Sequence, residues 1–222
     1  MSSEYSKAFI KELGQVSYRT SMTDVFSDFV KIYALELEHA TVPRNEDLDR
    51  VRGLHAGLVV QYGEADRKHF NNMSFIVQEA LTAKRESFLG PVLEEIGASN
   101  KNNGQFLTPA SLANMMARVN AADVEYTPGK VISVSDMACG AGVTLIAQGE
   151  ALIHERHVAQ SDIFLIGGDI DGRACDITYI ELTLLGYAAR IDHMDALSMK
   201  MLSPSRYTLG YFLHSMPMRG IR

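Results

Sequence analysis

The sequence predicts an α/β fold in which a helical region, residues 1–100, precedes a parallel sheet within residues 101–222. In the first hundred residues, apolar side chains recur at three- and four-residue spacing with little alternation, which is typical of amphipathic helices. From residue 131 onward, short apolar runs alternate with helical patterns, as in parallel α/β sheets. The polar, turn-prone stretch 98–105 separates the two patterns and predicts a domain boundary near residue 100.

Four helices are predicted in the N-terminal region, each from an apolar stripe that we interpret as core packing. The stripes are Phe26, Phe29, Val30, Tyr33 and Leu37; Val51, Leu54, Leu58 and Val59; Phe75, Ile76, Ala80 and Leu81; and Phe88 to Ile96. A further helix is predicted after Thr108-Pro109, with the threonine as its N-cap and the proline in its first turn.

Four strands are predicted in the C-terminal region, with helices after the first two. The strands are Val131–Ser135, Ile163–Ile166, Ala188–Ile191 and Tyr207–Leu213. The helices are Val143 to Ile153 and a segment in which Ile177, Ile180 and Leu184 share a face. This alternation predicts a parallel sheet with crossover helices.

Composition is that of a globular protein, with 46% hydrophobic and 22% charged residues among 222. No apolar stretch reaches the roughly 20 residues of a membrane span, and the N-terminus lacks the apolar run of a signal peptide. The net charge of −6 excludes a uniformly basic nucleic-acid coat. With two cysteines, the sequence predicts a cytoplasmic protein without a disulfide scaffold.

The chemically informative stretch, residues 136–142, lies between the first predicted strand and its helix. Gly140 and Gly142 let the backbone turn sharply and approach a ligand with no Cβ in the way, and the helix that follows offers unpaired N–H groups. A dinucleotide fingerprint needs a third glycine where this chain has Leu145, which argues against NAD or FAD. A plain tight turn is the alternative interpretation.

Acids follow the next two predicted strands. Asp169 lies at the carboxyl end of the second strand, beside the glycine turn in a doubly wound sheet, where an acid accepts hydrogen bonds from ribose hydroxyls. Asp171 is interpreted instead as the N-cap of the next helix. Asp195 follows the third strand, where it either recognises an exocyclic amine or starts a turn.

Four motifs, in this order, resemble those of adenine-N6 DNA methyltransferases, in particular the modification subunits of type I restriction systems. They are GQFLTP at 104–109, DMACGAG at 136–142, GDID at 168–171 and DAL at 195–197. The resemblance covers about residues 86–197. It implies a Rossmann-like, S-adenosylmethionine-dependent methyltransferase core after a helical N-terminal domain, with double-stranded DNA carrying an adenine target as partner.

The resemblance also implies a ligand set for S-adenosylmethionine. The residues are Thr108 for the methionine carboxylate; Asp136, Gly140 and Gly142 for the methionine side; Asp169 for the ribose; Ile170 for the adenine ring; and Asp195 for the adenine amino group. This set agrees with the interpretation of the residues themselves, because an uncharged turn suits an amino acid better than a pyrophosphate.

The family pattern fails at the catalytic motif. Active members carry Asn/Asp-Pro-Pro-Tyr/Phe after the fourth strand, where it holds a flipped-out adenine, whereas residues 215–218 here are Ser-Met-Pro-Met. Ser215 and Pro217 therefore occupy a degenerate motif. Serine offers one acceptor on a shorter arm, and methionine lacks the planar stacking surface of an aromatic ring. We expect severely reduced or absent turnover.

Only four strands can be drawn here, whereas the usual methyltransferase sheet has seven. The fourth strand would then be an exposed apolar edge, which native proteins cover. Three explanations remain open: a truncated relic, a homodimer through this edge, or another restriction–modification subunit, such as a specificity subunit, that completes the fold.

Two functional hypotheses follow from the sequence. The first is an S-adenosylmethionine-dependent adenine-N6 DNA methyltransferase of a restriction–modification system, weak or inactive alone. The second is a non-catalytic regulator or decoy that binds S-adenosylmethionine or a restriction–modification partner. No metal is expected, because His154 and His157 lie at a helix end without a third ligand.

Overall fold

The computed structural model describes residues 3–17, 21–41, 46–97 and 108–215. The helices in these ranges are α1 (Glu4–Leu13), α2 (Met22–Thr41), α3 (Glu46–Val59), α4 (Glu64–Ala83), α5 (Leu89–Gly97), α6 (Ala110–Ala121), α7 (Val143–Arg156), α8 (Gly172–Leu184) and α9 (Leu209–Ser215). The strands are β1 (Ile132–Asp136), β2 (Ile163–Asp169), β3 (Ala188–Asp195), β4 (Lys200–Met201) and β5 (Arg206–Tyr207). Within the same ranges, no helix combines the length and the apolar character needed to cross a bilayer.

The sheet confirms the predicted α/β fold with a helical N-terminal region. Strands β1, β2 and β3 pair in parallel in that order, and the two short strands β4 and β5 pair antiparallel with β3. The register places Asp136 opposite Gly167 and Asp169 opposite His193. The carboxyl ends of the three parallel strands therefore lie at one edge of the sheet.

The helices form layers on this sheet. Helix α7 packs on β1 and β2, α8 packs on β2 and β3, α6 packs on α7, and α2 packs on α8. One continuous cluster of buried apolar side chains extends from Phe9 in α1 to Ile191 in β3. The N-terminal helices and the sheet thus share a hydrophobic core, which fixes α8 between them.

The predicted fourth strand, Tyr207–Leu213, is wrong. Only Arg206–Tyr207 pairs with β3, and the residues that follow form α9. A short apolar run without alternation fits a helix as well as a strand. Here the ring of Tyr211 packs on that of Tyr207 four residues earlier, with centroids 4.6 Å apart, and on Phe164 of β2 at 5.7 Å.

This correction removes the long apolar edge strand on which one of the three explanations, a homodimer, depended. Within the described ranges, one edge of the sheet is formed by β1, which pairs with β2 alone. The third strand also differs from its expectation, because it continues beyond Ile191 to Asp195. Its last residues pair with β4, which the sequence pattern did not indicate.

Gly149 of α7 lies in close contact with Tyr187, the residue before β3, so the effect of adding a single methyl group there can be predicted. A Cβ at Gly149 would lie 2.7 Å from Cζ and 2.7 Å from the hydroxyl oxygen of Tyr187. The tyrosine is buried and donates a hydrogen bond of 2.6 Å to Glu150, so the ring has little freedom to move. We expect Gly149→Ala to lower the free energy of unfolding by about 2 kcal/mol in urea denaturation.

Gly57→Ala is the matched control, because that glycine also lies within a helix and a Cβ there would meet nothing within 4 Å. Its free energy of unfolding should rise by up to about 1 kcal/mol, since alanine favours a helix. Equal effects of the two substitutions would contradict the packing account of Gly149.

A buried carboxylate links α8 to the start of α5. One oxygen of Glu181 accepts hydrogen bonds from the backbone amides of Phe88 at 2.8 Å and Leu89 at 2.6 Å. Burial raises the pKa of Glu181 from 4.5 to about 7 in spite of these donors. Unfolding therefore releases a proton between these two pH values, and this residue's contribution to stability falls as the pH rises through about 7.

Glu181→Gln keeps an acceptor for the two amides and does not titrate. Its free energy of unfolding relative to wild type should therefore rise by about 3 kcal/mol between about pH 5 and about pH 8, which urea denaturation at both pH values measures. A relative stability that does not change with pH would contradict the buried ionisation of Glu181.

Candidate cofactor site

The carboxylate of Asp169 reaches from the end of β2 to the turn after β1. Its Oδ2 accepts a hydrogen bond of 2.9 Å from the amide of Gly140, and its Oδ1 accepts one of 2.8 Å from the amide of Asp171. Parallel pairing of β1 with β2 makes this possible, because it brings the two strand ends side by side. The structure thus brings together the acid and the glycine turn that the sequence indicated.

Both glycines of the turn require the backbone freedom that the sequence suggested. Gly140 has φ +53° and Gly142 has φ +78°, in the left-handed region that side chains with a Cβ rarely adopt. Gly142 is also the N-cap of α7, and its amide donates to the carbonyl of Cys139 at 2.9 Å. The turn leads directly into α7, and the first backbone amides of that helix have no hydrogen-bond partner within the helix itself.

A cavity of about 70 Å³ opens on this turn. Its lining comprises Thr108, Asp136, Ala138, Cys139, Gly140, Ala141, Val143 and Thr144. Three residues predicted from the sequence, Thr108, Asp136 and Gly140, therefore lie around one cavity. Thr108 is free to line it because α6 begins one residue later than predicted. Pro109 is the N-cap, so the expectation that Thr108 caps this helix is wrong.

Asp136 is held in place by the turn and by α7. Its Oδ1 accepts from the amide of Ala138 at 3.1 Å, and its Oδ2 accepts from the hydroxyl of Thr144 at 2.6 Å. The sequence did not single out Thr144, although a hydroxyl at the second position of the helix after an acidic strand end is the available signal. The pair fixes the carboxylate at the cavity wall.

Of the remaining predicted residues, Ile170 and Asp171 follow Asp169 directly at the carboxyl end of β2. The side chain of Ile170 is 62% exposed, and its carbonyl accepts a hydrogen bond of 3.1 Å from Nε2 of His193. Asp171 is confirmed as the N-cap of α8, accepting from the amide of Arg173 at 2.9 Å.

The side chain of Asp195 accepts hydrogen bonds from the residues that follow it in the same loop. Its Oδ1 accepts from the amide of Leu197 at 3.0 Å and its Oδ2 from the hydroxyl of Ser198 at 2.7 Å, and these contacts lower the pKa of Asp195. The geometry is that of a turn-starting aspartate. An interaction with an adenine amino group remains a prediction for this residue.

Helix α9 leads to the predicted catalytic residues Ser215 and Pro217. Helix α9 starts against the amino end of β3, where the amide of Thr208 donates to the carbonyl of Ala189 at 3.1 Å. The ring of Tyr211 in α9 packs on Phe164 near the amino end of β2, with centroids 5.7 Å apart, which places this helix beside the amino ends of the strands. Ser215 ends that helix, and Pro217 lies outside the described residues.

The two cysteines are packing residues. Cys139 and Cys175 are buried, and burial raises the pKa of both thiols, that of Cys175 to about 12. Neither is therefore a thiolate near neutral pH. In the residues that the structure describes, no group of three His, Cys, Asp or Glu side chains is arranged to hold a metal ion.

A larger cavity, about 370 Å³, lies between residues 83–87 and helices α6 and α7. Its charged lining is satisfied internally, because Arg85 donates to Glu150 at 2.8 Å. Of the predicted cofactor residues in the described ranges, none lines it. The smaller cavity at the glycine turn is therefore the candidate site.

Comparisons with known proteins support the fold and show the family. No match was found among curated proteins. A solved structure assigned to the class I S-adenosylmethionine-dependent methyltransferases, from Listeria monocytogenes, matches 90% of this chain at 15% identity with a TM-score of 0.51. The chain spans 56% of that protein's length. Residues 90–208, more than half of the chain, match the family model described as N-6 DNA methylase. The chain therefore belongs to the N-6 DNA methylase family.

Proposed function

We propose that this chain binds S-adenosylmethionine and serves the N6 methylation of adenine in DNA. The observation that carries the proposal is the contact between Asp169 and Gly140, which joins an acid to a glycine turn beside a cavity lined by Thr108 and Asp136. Carboxylates next to a glycine turn that lines a cavity suit a ligand with hydroxyls at one end and an amino acid at the other. Membership of the N-6 DNA methylase family supports adenine in DNA as the substrate.

The residues fit the cofactor in parts. A cavity of about 70 Å³ has room for about two water-sized groups, which suits the amino-acid end rather than the nucleoside. The nucleoside then lies outside the cavity, along Asp169 and Ile170 at the carboxyl end of β2. An ionised carboxylate has about four accepting positions, so Asp169 retains two for ribose hydroxyls after binding two amides. The exposed side chain of Ile170 offers an apolar surface to the adenine ring, with Asp195 for its amino group.

The chemistry divides between cofactor and chain. S-adenosylmethionine, when bound, supplies an electrophilic methyl group on a positively charged sulfur. Asp136 and Asp169 place negative charge around the site, which favours a cationic ligand. The rigid turn orients the ligand, and alignment of the reacting atoms provides much of the acceleration in such transfers.

Transfer by this chain alone is expected to be slow or absent. The degenerate motif offers serine and methionine instead of an amide and an aromatic ring. Helix α9, which ends at Ser215, packs beside the amino ends of β2 and β3, whereas the cavity lies at the carboxyl end of β1. This placement favours the second candidate function, a non-catalytic protein that holds S-adenosylmethionine and regulates, or competes with, a restriction–modification partner. DNA as partner is consistent with a cytoplasmic protein.

Two measurements on the purified protein test the proposal. The first is calorimetric titration with S-adenosylmethionine, and the second is transfer of a tritiated methyl group to adenine in double-stranded DNA. Binding with transfer supports the methyltransferase, and binding without transfer supports the non-catalytic function. The absence of binding by S-adenosylmethionine would overturn both.

A further inference from the structure

Thr178 of α8 contacts the glycine turn although it lies 36 or more residues away in sequence. The side chain is fully buried, and its hydroxyl donates a hydrogen bond of 2.9 Å to the carbonyl of Gly140. A Cβ at Gly142 would lie 3.0 Å from both Cγ2 and Oγ1 of this threonine. Thr178 therefore touches the turn at both glycines and leaves no room for a side chain between them.

Gly140 is consequently held from two sides. Its amide donates to Asp169 at 2.9 Å, and its carbonyl accepts from Thr178 at 2.9 Å. Since the described peptide bonds are trans, the amide of Ala141 points away from the carbonyl of Gly140, and thus away from Thr178. The hydroxyl of Thr178 thereby sets the direction of the peptide between residues 140 and 141.

The backbone amide of Ala141 is a hydrogen-bond donor without an acceptor among the described residues of the turn. Ala141 lines the cavity and is only 1% exposed, and its N–H makes no hydrogen bond to any residue in the described ranges. Buried backbone donors are nearly always paired in folded proteins, with protein, water or ligand. A carboxylate is a strong acceptor for such an amide, because the charge shortens and strengthens the bond.

We infer that Thr178 is a positioning residue, which aims the amide of Ala141 at the carboxylate of the cofactor's amino-acid end. The inference rests on the proposed function, since it assigns that carboxylate to the cavity. A positioning residue differs from one that merely fills the core, because loss of the Thr178 hydroxyl should then weaken the binding only of ligands that carry a carboxylate.

The test compares Thr178→Val, which keeps the shape and removes the hydroxyl, with Thr178→Ser, which keeps the hydroxyl. Each variant is titrated calorimetrically with S-adenosylmethionine and with 5′-methylthioadenosine, which has the nucleoside and sulfur but no amino-acid end. We expect the valine variant to bind S-adenosylmethionine about tenfold more weakly. Its affinity for 5′-methylthioadenosine should stay within about twofold of wild type, and the serine variant should bind both ligands like wild type.

Equal losses for both ligands, or no loss in the valine variant, would overturn the positioning role. Thr178→Ala is a second hydroxyl-free variant if valine prevents folding, which thermal unfolding reveals, and the same selective loss is expected. Failure of the wild-type protein to bind either ligand would instead overturn the proposed function, so the two failures are distinguishable.

Discussion

Asp169→Ala is expected to weaken binding of S-adenosylmethionine by about a hundredfold or more in calorimetric titration. Hydrogen bonds to a charged group contribute about 1.5–3 kcal/mol each, and the alanine variant loses those to the ribose hydroxyls. It also frees the amide of Gly140, now held at 2.9 Å, so the turn loses one of the contacts that shape it. Both losses weaken the same complex.

Asp171→Asn is the matched control for charge. Asp171 lies two residues away and caps α8 through the amide of Arg173, and asparagine caps a helix equally well. The variant should bind S-adenosylmethionine within about twofold of wild type. A similar loss in both variants would contradict the specific role of Asp169 and point to a general effect of negative charge.

Arg206→Met is expected to lower the free energy of unfolding by about 3–5 kcal/mol. Nη1 of Arg206 lies 2.7 Å from Oδ1 of Asp176, and the two side chains are 11% and 4% exposed. The guanidinium also lies over the ring of Tyr179, 4.8 Å from its centroid. Without it, the cation that remains beside Asp176 in the described ranges is the more exposed Lys31, at 3.4 Å.

The double variant Asp176→Leu, Arg206→Met tests the cause. Removing both charges leaves no uncompensated carboxylate, so the double variant should be more stable than Arg206→Met alone. Urea denaturation of wild type, both single variants and the double variant gives the coupling energy. Additive losses would show that the two side chains act independently and would contradict the account.

The sequence predicted the parts of the fold that have strong local signals. The first two strands and their helices follow from apolar runs separated by helical periodicity. The turn follows from its two glycines, both of which adopt the left-handed conformation in the structure. Leu209–Ser215 has no such signal, because seven largely apolar residues fit either structure. Ring packing on Phe164, a contact distant in sequence, decides in favour of the helix.

In the candidate site, too, some contacts follow from local sequence signals and others depend on packing between distant segments. Asp169 and Gly140 stand beside adjacent strands, so parallel pairing alone predicts their proximity. Thr178 was missed because it lies among apolar neighbours on α8, and only the docking of that helix on the sheet brings its hydroxyl to Gly140. Nothing in the sequence around Thr178 signals this contact, which depends on how α8 docks on the sheet.

The most direct test of the account is a crystal structure of the protein with S-adenosylhomocysteine. The account predicts the ribose hydroxyls within hydrogen-bonding distance of the Asp169 carboxylate and the amino-acid end in the cavity between Thr108 and Asp136. A ligand seated in the larger cavity beside Arg85 and Glu150, or a turn at Gly140 left without contact to the ligand, would contradict it.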